Sequence, residues 1–330
     1  MQIDLRTVSI KPLRNTFDHL ARRFGDKPAS RYQEGSYDIQ ADANLQYRPS
    51  WDPEHALHDA ARTRIQMADW YALKDPRQYY YGAYTMARAR QQEAAEASFD
   101  FVESRNLLDQ MDAATRLRVL AVLMPLRHVA WGANMNNAGM CADGYGTVVT
   151  QPCMYHAMDH LGIAQYLTRI GLLLDGPDAL EAGRKDWLED ARWQALRALV
   201  EKLWVSRDWF ELFVAQNFVL DGLLYPLIYE HFVDGHLNAR GGSGVSMLCA
   251  FMGEWQGETR RWTDAVIKTA AKESDANRDL LCQWTRAWRD RCLEALAPVA
   301  ALALDEAAPA ILDTVTQSFN DRAAKAGLDL

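Results

Sequence analysis

Disulfide chemistry is the first thing this 330-residue chain does without. Cys141, Cys153, Cys249, Cys282 and Cys292 form an odd set with no Cys-x-x-Cys pair, so neither a disulfide framework nor a thiolate zinc site is indicated. They read as buried thiols in a reducing compartment. Positive charge is also short: 36 Lys and Arg stand against 44 Asp and Glu, a net charge of −8, and no basic stripe gathers the cations. Nucleic acid is therefore not an expected partner. The opening MQIDLRTVSIKPLRNTF has no signal-peptide apolar segment, and no run of about 18 apolar residues follows, so the expectation is a cytoplasmic protein without membrane contact. Alternating apolar and polar strands are missing. NARGGSGV at 238–245 lacks the Gly-Lys-Ser/Thr ending of a phosphate loop. No Gly-x-Ser-x-Gly elbow is present, and no cysteine is tied by sequence to a histidine.

What remains is aromatic and helical. Eleven Trp, 13 Tyr and 10 Phe supply a large core, an extensive protein interface, or both. Residues 1–80 carry prolines, arginines and tyrosines with no sustained 3.6-residue period, as in RRFGDKPASRYQEGSYDIQADANLQYRPSWDP. This segment is expected to be a long, largely extended arm that buries its aromatics on a partner chain, through Arg22, Arg23, Tyr32, Tyr47, Trp51, Tyr79, Tyr80 and Tyr81. Residues 81–330 are expected to form an all-α bundle. YTMARARQQEAAEASFDFVES, ATRLRVLAVLMPLRHVAWGANMNN and VTQPCMYHAMDHLGIAQYLTRIGLLLDG each read as a helix, the last stopped by Asp175-Gly176-Pro177. RDWFELFVAQNFVLDGLLYPLIYEHF is apolar nearly all round, the mark of a helix at a bundle centre.

Within this bundle the stretch GETRRW, 257–262, poses a chemical question. A ferritin-like di-iron centre takes one Glu from each of two helices and a Glu-x-x-His pair from each of two others, because positions i and i+3 converge on one point. Here Glu258 is followed at that spacing by Arg261, and Pro125 precedes His128. A guanidinium keeps its proton and cannot ligate iron. Read this way, Pro125, His128, Glu211, Glu258 and Arg261 are the positions of a degenerate metal site. A lone carboxylate such as Glu211 in an apolar helix needs a partner. Arg127, Arg260 or Arg261 is expected to bridge to Glu211, Asp221 or Glu258 inside the bundle, with His128, Gln216 and Asn217 completing the network. Glu93, Glu96, Asp100 and Glu103 share one helical face and read as a solvated or partner-facing stripe.

The rival metal reading is YHAMDH, where His156 and His160 share a face at i and i+4. Asp159 between them cannot share that face with both, so a hydrogen-bonding or interface role is favoured over an independent metalloprotein. The i, i+3 pair His55 and His58 is weighed the same way.

RRFGDKPASRYQE, DPRQYYYGAY, LRHVAWGANMNN, QYLTRIGLLLDG, RDWFELFVAQNFVLDGLLYPLIY and GETRRW together resemble the β subunit of the hydroxylase component of bacterial multicomponent phenol hydroxylases. The resemblance spans essentially the whole chain. It implies a ferritin-like fold, no cofactor in this chain, and a catalytic di-iron centre in a paralogous α subunit. It further implies an α2β2γ2 assembly served by a regulatory protein and by an NADH reductase carrying FAD and a 2Fe–2S cluster. The implied reaction is hydroxylation of phenol to catechol with O2 and NADH. β subunits of toluene, alkene or methane monooxygenases are the near alternatives.

Overall fold

A computed structural model describes residues 13–41 and 48–330; Tyr47 lies outside the described residues. Among these, every regular element is helical. The N-terminal segment holds two short helices, α1 (Asp18–Phe24) and α2 (Arg31–Ser36), within otherwise irregular chain. Helix α2 starts where Ser30 and Gln33 exchange side-chain and backbone hydrogen bonds, a capping box that satisfies two end donors. Then follow α3 (Tyr81–Ser104), α4 (Ala113–Leu123), α5 (Leu126–Asp143), α6 (Thr147–Glu189) and α7 (Ala191–Trp204). A continuous helix over 209–237, here α8, precedes α9 (Ser243–Glu273), α10 (Asp275–Leu304) and α11 (Ala308–Lys325). Asp112, Asp190, Asp208 and Ser274 each accept a backbone N–H at the start of a helix, as N-cap residues do.

Two expected boundaries shift for identifiable reasons. The helix foreseen over ATRLRVLAVLMPLRHVAWGANMNN divides at Met124-Pro125, since proline has no N–H to give and fits best just before a first turn. At Asp175-Gly176 the backbone leaves helical geometry, with Gly176 at φ +63°, and the helix resumes from Pro177. The stop seen in the sequence is thus a sharp kink inside α6.

The core is one contiguous cluster running through α5, α6, α7, α8, α9 and α10, with Trp193, Trp209, Trp262, Phe210, Phe213 and Phe218 all but inaccessible. Each such side chain contributes on the order of 1.5–3 kcal/mol of burial free energy. Helix α8 is the axis of this core, as its all-round apolar sequence requires. Over 214–220 and 226–237 its hydrogen bonds run i to i+5, widening the helix into π-type turns. Among the described residues two helical stretches, Trp209–Arg240 and Asp275–Lys325, are long and apolar enough by composition to cross a bilayer; 94% of the most apolar 18-residue window of the first is buried inside the protein, and 39% of that of the second.

The N-terminal segment packs on its own chain. Leu20, Tyr32, Tyr37, Tyr71 and Val148 form a satellite cluster, and the Tyr32 hydroxyl accepts from the Asp75 N–H at 2.9 Å. Arg23 is tied to Asp38 and Asp69, both at 2.6 Å. Tyr32 and Arg23 are therefore intrachain anchors, contrary to the partner contact expected of them, because a helical body with a free flank is a nearer surface than another subunit. Tyr79 and Tyr80 are half-buried, Tyr79 beneath Arg77. Arg22, Trp51 and Tyr81 remain exposed.

Candidate functional site: the polar centre of the bundle

Four helices meet at Asp221. This carboxylate sits on α8 between the two π-type stretches and is 2% exposed. Its Oδ2 lies 3.1 Å from Nε2 of His156 and 3.2 Å from Nε2 of His160, which are themselves 3.2 Å apart. The two imidazoles are neighbours because i and i+4 are stacked on the inner face of α6. Gln216 donates to Asp221 Oδ1 at 2.9 Å and accepts from Asn136 of α5 at 2.8 Å. Gln256 of α9 donates to the Asp221 carbonyl at 3.3 Å. His156 is stacked on Trp255, with the edge of Trp262 beside it.

Electrostatics follow from the burial. Desolvation, reinforced by His160, pulls the His156 pKa down to about 4 against the attraction of Asp221, so the ring is neutral near pH 7. Burial works against the Asp221 carboxylate, yet the two imidazoles beside it hold its pKa below the usual range. Among the described residues no Arg or Lys forms an ion pair with Asp221. The network predicted for this carboxylate exists through Gln216, but with histidines in place of arginine.

The arginine-rich cluster lies one layer outward. Arg88 of α3 grips Asp159 in bidentate fashion, at 2.7 and 2.8 Å, and reaches both oxygens of Glu258 at 3.2 Å. Tyr84 and Trp255 also donate to Asp159, at 2.9 and 2.7 Å. Arg77 is bidentate on Asp75 and extends to Glu258 at 3.5 Å. Glu258 thus pairs with guanidinium groups, but those of Arg77 in the N-terminal segment and Arg88 of α3, and not with the expected Arg127, Arg260 or Arg261.

Several predicted positions fall elsewhere. Arg261 points to solvent and Arg260 to an outer groove that it shares with Asp264 and Arg322, because α9 turns Trp255, Gln256, Thr259 and Trp262 inward. Arg127 donates to the carbonyls of Met124 and Leu180. Glu211 accepts from Trp288 at 3.0 Å and pairs with Arg64 at 3.4 Å. Pro125 is buried ahead of α5, and His128 stacks on Trp187 away from the centre. None of Pro125, His128, Glu211 and Arg261 faces the others; the supposed degenerate site is dispersed. Asn217 exchanges two amide hydrogen bonds with Asn137, at 2.9 and 2.8 Å, apart from any arginine. Glu93, Asp100 and Glu103 are exposed, and Arg169 bridges Glu96 to Glu103, in keeping with an outward stripe. His55 binds Asp52 at 2.9 Å, with Arg62 on the same carboxylate.

The residues that do converge, His156, His160 and Asp221, place one ligand atom each within 4.8 Å of one another. A pair of irons in this kind of fold needs bridging carboxylates from several helices. Asp221 is the single carboxylate of the group, its neighbours Gln216 and Asn136 are amides, and Glu258 is committed to arginines. The set does not fit a di-iron centre. The separate signals were visible in sequence, a lone Asp in an apolar helix and an i, i+4 histidine pair, but nothing local joined residues 61 and 65 positions apart.

The family model for Methane/Phenol/Alkene Hydroxylase matches residues 51–274. The phenol 2-monooxygenase oxygenase component DmpL of Pseudomonas sp. (strain CF600) is 52% identical over 330 residues, 99% of this chain and 98% of that one. The hydroxylase component subunit beta of the toluene-4-monooxygenase system of Ectopseudomonas mendocina is 25% identical over 308 residues, 87% of this chain and 90% of that one. A crystal structure of xenon-pressurized phenol hydroxylase from Pseudomonas sp. OX1 superposes with a TM-score of 0.93 at 47% identity, covering 99% of both chains. A bundle of this architecture, matched from end to end by such relatives, belongs to the methane/phenol/alkene hydroxylase family.

Proposed function

We propose that this chain is the non-catalytic β subunit of a phenol hydroxylase, bracing a paralogous α subunit that carries the di-iron centre and hydroxylates phenols to catechols with O2 and NADH. The single observation that carries the reading is the full-length similarity to DmpL, a phenol 2-monooxygenase oxygenase component, set against a bundle centre whose donors do not fit two irons. In this reading the α2β2γ2 assembly works in the cytoplasm with a regulatory protein and an FAD and 2Fe–2S reductase, and needs neither membrane nor nucleic acid.

Its physical contribution is rigidity. Ligand helices of a metal centre must be held to within about 0.5 Å, and a partner with a dense aromatic core resists deformation better than solvent does. The surface suited to that contact lies on α5 and α6. Asn134 donates to the Ala157 carbonyl at 2.8 Å, joining the two helices, which expose Trp131 and Met135 on α5 and Met154, Met158 and Leu161 on α6. All five are 38–47% exposed. An apolar band of this kind is typical of the buried centre of an obligate interface. Met158→Glu combined with Leu161→Glu is expected to abolish co-purification with the iron-bearing subunit while leaving the circular dichroism of this chain unchanged. Recovery of the two chains in equal amounts from that variant would refute this surface, and failure of the wild-type chain to co-purify with any iron-bearing hydroxylase subunit would refute the function.

A further inference from the structure

We propose that the groove between α9 and α11 docks an extended acidic segment of a partner protein, one that presents carboxylates four residues apart. The groove, about 400 Å3 in volume, is bordered by Arg260, Asp264 and Lys268 on α9 and by Asp321, Arg322 and Lys325 on α11. Four cations against two carboxylates leave two positive charges in excess, in a chain whose net charge is −8. A cleft lined by one sign of charge concentrates ligands of the other. The arginine pair of GETRRW thereby has a place: Arg260 lines the groove, and Arg261 beside it faces water.

The floor of the groove is fixed. The Arg322 side chain is only 5% exposed, with its guanidinium carbon 4.4 Å from the centre of the Phe218 ring. It donates to Asp264 at 2.6 Å, to the Phe218 carbonyl at 3.2 Å and to the Thr263 hydroxyl at 2.8 Å. Gly222 of α8 leaves it room, for a Cβ there would fall 2.5 Å from its Nη1. Asp264 is thus neutralised from within, and Asp321 on the far rim accepts from Gln317. Arg260, Lys268 and Lys325 make no ion pair or side-chain hydrogen bond among the described residues. Three unpaired cations gathered on one groove repel one another, and an acidic partner relieves that repulsion.

Spacing selects a segment over a small anion. Arg260 and Lys268 lie two turns apart on α9, about 12 Å along the axis at about 1.5 Å per residue. To meet on one phosphate both would have to bend over Asp264, which sits midway between them and repels it. Two carboxylates straddling Asp264 avoid this. An extended chain advances about 3.3 Å per residue, so carboxylates at positions i and i+4 stand about 13 Å apart and match the two cations. Lys325 supports the same segment from the opposite wall. Exposed pairs of this kind are individually weak and screened by salt, so the contact is reversible and electrostatically steered. It lies on different helices from the α5 and α6 face proposed above for the iron-bearing subunit and does not depend on that reading.

The test uses the full-length chain and a fluorescein-labelled Ser-Glu-Ser-Glu-Ser-Glu-Ser peptide, followed by fluorescence anisotropy. Saturable binding at about 20 mM NaCl is expected, weakening about 10-fold or more at about 200 mM. Arg260→Glu combined with Lys268→Glu is expected to reduce affinity about 10-fold or more. Lys185→Glu combined with Lys202→Glu, which makes the same change in net charge on α6 and α7, leaves it within about 2-fold. Equal losses in the two pairs, or no binding by the wild-type chain at about 1 mM peptide, overturn the proposal. So does displacement of the peptide by equimolar inorganic phosphate, which would make the groove a small-anion site. Should the Arg260 and Lys268 variant fail to fold, as judged by circular dichroism, Lys325→Glu on the exposed rim decides: a loss of about 3-fold is expected, and none overturns the site.

Discussion

Replacing Arg88 by methionine would keep most of the side chain's volume and remove its charge, leaving Asp159 and Glu258 without their shared partner. The Asp159 side chain is 5% exposed and that of Arg88 17%, so the pair is buried and weakly screened. Breaking such a pair costs about 3–5 kcal/mol, chiefly because the remaining charge stays desolvated. Two features place this case near the lower bound. Asp159 keeps hydrogen bonds from Tyr84 and Trp255, and Glu258, 24% exposed, keeps Arg77 at 3.5 Å. The expected loss is about 3 kcal/mol. Adding Asp159→Asn removes the stranded charge, so the double variant is expected to recover about 1–2 kcal/mol relative to Arg88→Met alone. Urea unfolding at pH 7, followed by tryptophan fluorescence and circular dichroism together, measures both; Trp255 itself bonds to Asp159 and reports locally. A loss under about 1 kcal/mol from Arg88→Met, or strictly additive effects in the double variant, would show that the cluster is solvated and the burial argument wrong.

Acidification should weaken the fold through His128. Burial against Trp187, with Arg127 and Arg184 nearby, lowers its pKa to about 4, so between the ordinary histidine value and that point the unfolded chain binds the extra proton. Stability is therefore present above about pH 6.5 and falls as the pH drops toward 4, by about 1–2 kcal/mol after screening of a partly exposed ring. Comparing urea midpoints at pH 7 and pH 5 for the wild type and His128→Phe checks this; an equal acid sensitivity in both would refute the assignment. Gly176→Ala is expected to cost about 1–2 kcal/mol although the space beside Gly176 is open, because φ +63° is strained for an L side chain. Gly183→Ala should be at least as costly for a different reason, its new Cβ falling 2.3 Å from Cβ of Met124. Thermal melts that leave either variant unchanged would contradict these two readings.

Much of the fold was legible because helix formation is largely local. Periodicity marked the bundle, the all-round apolar stretch 209–237 marked its axis, and Asp175-Gly176-Pro177 marked a break that the structure realises as a kink. Residues 257–262 misled for a geometric reason. Glu-x-x-Arg spacing shows that Glu258 and Arg261 share one side of α9, but the rotation of that helix is fixed by Trp255, Thr259 and Trp262 burying themselves, which turns Arg261 out to water. Of the tyrosines expected to be buried on a partner, Tyr32 is buried within its own chain and Tyr81 is exposed; sequence could not say that Val148 and Tyr71 of the same chain would cover Tyr32.

By itself, the sequence determined that this chain is a helical bundle with a buried central helix, and that its carboxylates in apolar helices must find partners. Only the tertiary structure decided which partners: histidines for Asp221, Arg88 and Arg77 for Glu258, Arg64 and Trp288 for Glu211. Helical periodicity depends on neighbours a few residues away, whereas the pairing of a buried charge depends on how whole helices rotate and stack, and that is settled by the summed burial of their apolar faces.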